Sequence, residues 1–172
     1  MTAFVLIFFL SKAKDINLVN WQLYSLREHN WVVILGILIA IVWFRFILNA
    51  VFDFFKVGSS VSANQQLINS MASKAPEYLM VILTAVFAPI CEELIFRAGF
   101  FELLFLQFPR IALISSTILF ASAHMVMNVT DWASWIVYLS MGLILGLIYY
   151  KTRSVECSIA VHMLWNLYAI FI

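Results

Sequence analysis

Long apolar stretches separated by short polar segments run through the chain. A helix needs about 20 apolar residues to cross some 30 Å of hydrocarbon at 1.5 Å per residue. The pattern therefore predicts an all-α fold, a polytopic transmembrane helix bundle. Its five membrane helices are expected at residues 31–52, 77–97, 111–127, 132–150 and 158–172. A sixth apolar stretch, residues 1–10, is too short to span. It is either an interfacial segment or the end of a helix that begins upstream.

Polar residues and prolines divide these helices. Residues 58–73 are rich in Ser, Asn and Gln and predict a polar loop that can hold a short surface helix. Residues 100–108 either continue the preceding helix or fold back at the interface, before Pro109. Residues 151–156 predict a charged loop. Gly142 and Gly146 are four apart, a spacing that lets two membrane helices approach closely. The whole chain, 1–172, is expected to form a single transmembrane domain.

Composition agrees with a membrane protein. Hydrophobic residues make up 65% of the chain and charged residues 11%, whereas soluble domains have about 45–50% and about 25%. A net charge of +1 and the lack of a Gly-rich phosphate loop argue against nucleic-acid or nucleotide binding. Cys91 and Cys157 fit no paired metal motif and are expected to be small buried hydrophobic residues. The expected location is a membrane, as an integral protein.

Three charges interrupt the second predicted helix: Glu92, Glu93 and Arg97. A carboxylate at mid-bilayer costs at least about 2.5 kcal/mol on insertion scales, so such residues usually face a protein or water interior. Glu93 and Arg97 have the i,i+4 order that favours an ion pair. Glu92 points about 100° away, which leaves it free to act as a general base on a water molecule. The alternative is that all three form a charge network that fixes helix register.

Two later helices carry polar groups that can complete such a site. His124 could share or orient the water, although a lone histidine is more often a hydrogen-bonded core residue. His162 and Asn166 are i,i+4 and project towards one point, where their donors could stabilise an oxyanion. An interhelical hydrogen bond is the alternative for Asn166. Helix counting places His124 about 20 Å from one face but His162 only about 6–9 Å from it, a discrepancy in depth.

The motifs Glu92-Glu93-x-x-x-Arg97, Phe120-x-x-x-His124 and His162-x-x-x-Asn166, in this order, resemble the CAAX prenyl protease and bacteriocin-processing (CPBP, or Abi) family of intramembrane endopeptidases. The resemblance covers residues 78–172, the expected catalytic core. It implies that Glu92 activates water with help from His124, and that His162 and Asn166 form an oxyanion hole. Glu93 and Arg97 would hold the site together.

The resemblance leaves metal dependence open. Zinc is possible, with Glu92, Glu93, His124 and His162 as ligands, but the sequence has no His-Glu-x-x-His motif. A metal-free glutamate mechanism accounts better for Asn166, so no cofactor is expected to be required.

The implied partners are the lipid bilayer and a peptide or membrane-protein substrate, in a bacterial plasma membrane. The implied roles are peptide processing or bacteriocin immunity. A non-catalytic immunity or scaffold protein that binds a peptide through the same cavity is the alternative function. A proton-relaying transporter is a third, but no internal repeat is visible. The sequence does not indicate the substrate, its cleavage site, whether it is prenylated, or the oligomeric state.

Overall fold

The computed structural model describes residues 30–54 and 62–171, which form six helices and no strand. The all-α prediction is therefore confirmed for this part of the chain, and the apolar residues 1–10 lie outside it. The helices are α1 (Asn30–Phe54), α2 (Ala63–Ala72), α3 (residues 77–104), α4 (Pro109–Met125), α5 (Trp132–Thr152) and α6 (Val155–Phe171).

Helix α3 alternates between two hydrogen-bonding patterns. Glu77–Ile82 and Ala88–Glu93 are α-helical, whereas Leu83–Phe87 and Leu94–Leu104 are π-helical, with bonds five residues apart. π-helical turns are rare in proteins and occur frequently at functional sites. Glu92 and Glu93 lie directly before the second π segment, so the irregular part of the helix coincides with its charges.

Four helices form a closed ring of contacts, α3 with α4, α4 with α5, α5 with α6, and α6 with α3. Helix α1 contacts α6 from outside the ring, and α2 contacts α3 and α4. Gly142 and Gly146 lie on the face of α5 towards α4. A Cβ atom at Gly142 would lie 3.1 Å from the Thr117 carbonyl oxygen, and one at Gly146 would lie 2.7 Å from Leu113 Cδ1. The two glycines thus allow the close helix contact that their spacing indicates.

Within the part of the chain that the structure describes, two helices are long and apolar enough to cross a membrane, Tyr78–Leu104 and Trp132–Thr152. Val155–Ile170 is apolar but shorter. Large apolar side chains such as Phe46 and Ile114 are more than 60% exposed, as expected for a surface that faces lipid. The arrangement of five spans remains a prediction.

One connection differs from the sequence-based expectation, and a second decides between the two alternatives that the sequence left open. The predicted loop at residues 151–156 is wrong, because only Arg153 and Ser154 separate α5 from α6. Arg153 ends α5 in the left-handed conformation (φ 53°), and the Ser154 hydroxyl accepts the Cys157 N–H at 3.2 Å, which caps α6. Residues 100–104 continue α3, and α4 begins at Pro109 after a short turn.

Candidate active site

The structure brings three of the predicted site residues together inside the helix ring. Oε2 of Glu92 lies 3.7 Å from Nε2 of His124 and 3.7 Å from Nε2 of His162. These side chains come from α3, α4 and α6. Oε2 of Glu92 is buried and has no hydrogen-bond partner, although the Glu92 side chain is 26% exposed as a whole. Contacts of this length are too long for a direct hydrogen bond, so these polar groups can still bind a water molecule.

Hydrogen bonds at the far nitrogen orient both imidazoles. Nδ1 of His124 lies 2.9 Å from the Phe120 carbonyl oxygen, and Nδ1 of His162 lies 2.9 Å from Oε1 of Glu93. A carbonyl or carboxylate oxygen can only accept, so both Nδ1 atoms carry the proton. In the neutral rings, each Nε2 then has a free lone pair and lies 3.7 Å from Oε2 of Glu92. For His162 to donate from Nε2, its ring must be an imidazolium.

Glu93 and Arg97 form the predicted ion pair, with 3.1 Å between Arg97 Nε and Glu93 Oε2, both side chains fully buried. The two atoms lack the alignment of a hydrogen bond. Arg97 also donates from Nη2 to the Gly142 carbonyl oxygen at 3.0 Å, and its guanidinium lies 4.9 Å from the centre of the Phe120 ring. Glu93 therefore links Arg97 on its own helix to His162 on α6, a role that i,i+4 spacing did not reveal.

Asn166 lies one turn beyond His162 on α6, and its side chain also bonds to α3, but to the main chain. Its Nδ2 donates to the Thr84 carbonyl oxygen of α3 at 2.9 Å, the interhelical hydrogen bond that the sequence allowed. The π segment explains why the Thr84 oxygen has no main-chain donor. The Ala88 N–H bonds to the Leu83 oxygen, so the next donor in register is Pro89, which has no N–H. Asn166 supplies the missing donor and keeps its second N–H.

The residues proposed as zinc ligands do not form a metal site. Within residues 30–54 and 62–171, no group of three His, Cys, Asp or Glu side chains is placed to hold a metal ion. Both oxygens of Glu93 already contact Arg97 and His162. Glu93 is therefore not free to ligate zinc, and the metal dependence of the protein remains a prediction.

The discrepancy in depth between the two histidines disappears in the structure, since both reach the same oxygen of Glu92. Helix α6 begins at Val155 rather than at residue 158, which lengthens the path to His162 by about 4.5 Å. Helix α4 ends at Met125, directly after His124.

The sequence analysis missed four contributors to the site: Thr84, Pro89, Tyr138 and Gly142. Thr84 and Gly142 contribute only main-chain oxygens, which no residue pattern can signal. Tyr138 stacks on His124, but tyrosine in an apolar helix is not a distinctive signal. Pro89, three residues before Glu92, was the one available clue.

These features define a helical membrane protein with a buried carboxylate and imidazole site, and comparison with known proteins places it in a family. The model of the Rce1-like type II CAAX prenyl endopeptidases matches residues 74–168. This is more than half of the chain, so the protein belongs to that family and is an integral membrane protein. The resemblance seen in the three motifs is confirmed.

Several bacterial proteins are similar to the chain. It is 30% identical over 161 residues to the UPF0177 protein YvdC of Lactococcus lactis, covering 94% of this chain and 58% of that protein. It is 31% identical over 116 residues to the membrane-embedded CAAX protease MroQ of Staphylococcus aureus, covering 63% and 44%. The UPF0177 protein YaiH of L. lactis is 39% identical over 89 residues, covering 52% and 35%. The chain thus spans about half the length of these curated relatives. No solved structure matches it.

Proposed function

We propose that the protein is an intramembrane endopeptidase that hydrolyses peptide bonds of a membrane-associated peptide or membrane protein in a bacterial plasma membrane. The observation that carries this proposal is the position of Glu92 Oε2, buried, without a hydrogen bond, and 3.7 Å from Nε2 of two histidines. A carboxylate held in this way can activate one water molecule. The family supports peptide hydrolysis as the reaction.

In the proposed mechanism, one water molecule lies beside Glu92 Oε2 and His124 Nε2, which are 3.7 Å apart, and donates a hydrogen bond to each. Glu92 takes a proton from the water as its oxygen attacks the carbonyl carbon of the substrate. His124 accepts a hydrogen bond at Nε2 and orients the water. The tetrahedral intermediate then breaks its C–N bond, and the proton on Glu92 passes to the leaving amine. The products are a carboxylic acid and an amine, and no oxidant or further reactant is needed.

The oxyanion of the intermediate needs hydrogen-bond donors of its own. We assign this role to Nε2–H of the His162 imidazolium and to the second N–H of Asn166. Glu93 orients the His162 ring through its 2.9 Å contact with Nδ1. Arg97 holds Glu93 in place by an ion pair and a main-chain contact. One oxyanion donor is typically worth about 10²–10³ in rate.

The test uses purified protein in liposomes with a library of fluorogenic apolar peptides. Glu92→Gln keeps the shape of the side chain but removes the base, and we expect cleavage to fall to background. Glu102→Gln is the matched control, because Glu102 lies on the same helix and is similarly exposed (21%), but bonds Tyr149 and Arg153 outside the site. Equal activity in the wild type and Glu92→Gln would overturn the proposal.

The same assay tests whether the activity requires a metal ion. We expect no cofactor to be required, so cleavage should persist after exhaustive chelation. Loss of activity that zinc restores and magnesium does not would contradict the metal-free mechanism.

Peptide processing or bacteriocin immunity is the proposed biological role. The alternative, a non-catalytic immunity or scaffold protein, predicts that Glu92→Gln leaves the cellular phenotype unchanged. The proteolytic role predicts that the phenotype is lost although the variant accumulates normally in the membrane.

A further inference from the structure

The imidazole of His124 contacts a tyrosine from the neighbouring helix. Tyr138 of α5 stacks on the His124 ring, with 4.6 Å between ring centres and 27° between planes. Phe120 also contacts this imidazole, at 4.6 Å and 36°. The Nδ1–H of His124 bonds to the main chain of its own helix. The ring is thus held by one hydrogen bond and two aromatic contacts.

These contacts differ in what they can fix. A hydrogen bond at Nδ1 restrains the two side-chain torsions of His124, but it lets them change together while Nδ1 stays near the Phe120 oxygen. Such a turn of the ring would move Nε2 away from Glu92. Phe120 belongs to the same helix as His124, so it moves with it. Tyr138 is the ring from another helix, and its stacking blocks the turn.

The hydroxyl of Tyr138 is held in turn by the start of α2. It lies 3.0 Å from the Ser62 hydroxyl and 3.5 Å from Nδ2 of Asn64. Ser62 is the N-cap of α2, where its hydroxyl accepts the Gln65 N–H at 3.2 Å. Ser62 lies 76 residues before Tyr138 in sequence. The start of the polar helix α2 is therefore connected to His124 through one hydrogen bond and one ring stack.

We propose that Tyr138 is a positioning residue that keeps Nε2 of His124 directed at Glu92, and that Ser62 anchors Tyr138. The inference deepens the proposed function, because it assigns α2 to the machinery of the same site. Tyr138 touches no reacting atom in this scheme. It acts through the orientation of the imidazole.

The first experiment measures kcat and KM for one peptide that the wild type cleaves. Tyr138→Leu removes the stack, and misplacement of a catalytic group by about 1 Å costs up to about 10²-fold, so we expect kcat to fall about 10- to 100-fold with KM nearly unchanged. Tyr138→Phe keeps the ring and should restore most of kcat. The remaining loss of kcat in Tyr138→Phe, and the loss of kcat in Ser62→Ala, should each be about two- to fivefold, the scale of one hydrogen bond. Tyr78→Phe, at a 70% exposed tyrosine, is the matched control.

The second experiment does not depend on proteolysis. Diethylpyrocarbonate modifies free imidazole nitrogens, and mass spectrometry resolves each histidine. We expect Tyr138→Leu to speed modification of His124 several-fold relative to His162, whose ring is held by Glu93. If the wild type cleaves no peptide but Tyr138→Leu still speeds modification of His124, the protease proposal is rejected and the positioning role is retained.

Two results would overturn the inference. The first is an unchanged modification rate of His124 in Tyr138→Leu, whatever happens to kcat. The second is a loss of kcat in Tyr138→Phe as large as that in Tyr138→Leu, since this would show that the ring stack does not position the imidazole. Thermal unfolding in detergent accompanies each variant. If Tyr138→Leu does not fold, Tyr138→Phe and Ser62→Ala still have to show the small kcat loss with unchanged KM, and the absence of any loss overturns the anchoring.

Discussion

Glu92 and Glu93 are neighbours in sequence, but they occupy opposite halves of the site. Glu93 is fully buried, and its two oxygens contact Arg97 and His162. Glu92 is 26% exposed, and its Oε2 has no hydrogen bond. The helix turns about 100° between adjacent residues, and this rotation alone separates the two environments.

The difference shows how one helix can supply both a scaffold and a reactive group. A buried charge whose partners are all protein atoms has no capacity left for a substrate or water. A carboxylate with an unused oxygen beside two imidazoles retains that capacity. The two halves should therefore respond differently to substitution, the Glu93 half through stability and the Glu92 half through turnover.

The largest effect is expected in the Glu93 half. Arg97→Ala leaves Glu93 buried without its cation and removes the contact with the Gly142 oxygen. Breaking a buried pair in this way destabilises proteins by about 3–5 kcal/mol. We expect much less folded protein in the membrane, measured by abundance and by thermal unfolding in detergent.

Arg97→Lys is the control for this prediction. It keeps the positive charge but loses the planar fork that reaches Glu93 and Gly142 together, so an intermediate stability is expected. Normal abundance and stability for Arg97→Ala, combined with abolished activity, would show that Arg97 takes part in the chemistry and that the division between the halves is wrong.

The next effect concerns Asn166, which belongs to both halves. Asn166→Ala removes one proposed oxyanion donor, so activity per folded molecule should fall about 10²–10³-fold. It also leaves the Thr84 carbonyl oxygen without its hydrogen-bond donor, which should lower the free energy of unfolding by about 1 kcal/mol or more. Steady-state kinetics and thermal unfolding measure the two losses separately.

Pro89→Ala sharpens this test. It adds the N–H that α3 lacks, so that the Thr84 oxygen no longer depends on Asn166. The stability loss from Asn166→Ala should then be smaller in the Pro89→Ala background than in the wild type. Strictly additive losses in this double-mutant cycle would contradict the link between Pro89 and Asn166.

The smallest effect is expected away from both glutamates. Gly146→Ala places a Cβ atom 2.7 Å from Leu113 Cδ1. Because the end of the Leu113 side chain can move, we expect a loss near the lower end of the about 1–3 kcal/mol that overpacking costs. Gly99→Ala is the matched variant, because the nearest atom to its Cβ is the Leu94 oxygen at an ordinary 3.5 Å. Alanine is favoured over glycine inside helices by about 0.5–1 kcal/mol, so Gly99→Ala should be neutral or stabilising. Equal melting temperatures for the two variants would argue against close α4–α5 packing at Gly146.

Contacts within one helix were predictable from sequence. The pair of Glu93 with Arg97 follows from their i,i+4 spacing, and the different direction of Glu92 follows from helix rotation. The charged loop at residues 151–156 was predicted wrongly for an instructive reason. Lys151 lies in the last turn of α5 and Glu156 in the first turn of α6, where helix dipoles favour these charges. Charge near a helix end was taken for the absence of a helix.

Contacts between helices were harder to predict, because their partners carry no signal in the sequence. The type and order of Glu92, His124 and His162 indicated a shared site, but helix counting gave inconsistent depths, and only the contacts of both histidines with Glu92 show that they meet. The stack of Tyr138 on His124 depends on how α4 and α5 pack, which apolar periodicity does not specify. The catalytic roles of all these residues remain predictions.

Two of the side-chain bonds between helices at this site end on main-chain oxygens, Arg97 on Gly142 and Asn166 on Thr84. A main-chain oxygen is present whichever residue occupies the position. Compensating substitutions at residues 84 and 142 are therefore not needed to keep these acceptors during evolution, and paired variation in an alignment should not reveal the contacts. The contact of His162 with Glu93 joins two side chains, so it is the one that coupled substitutions could expose.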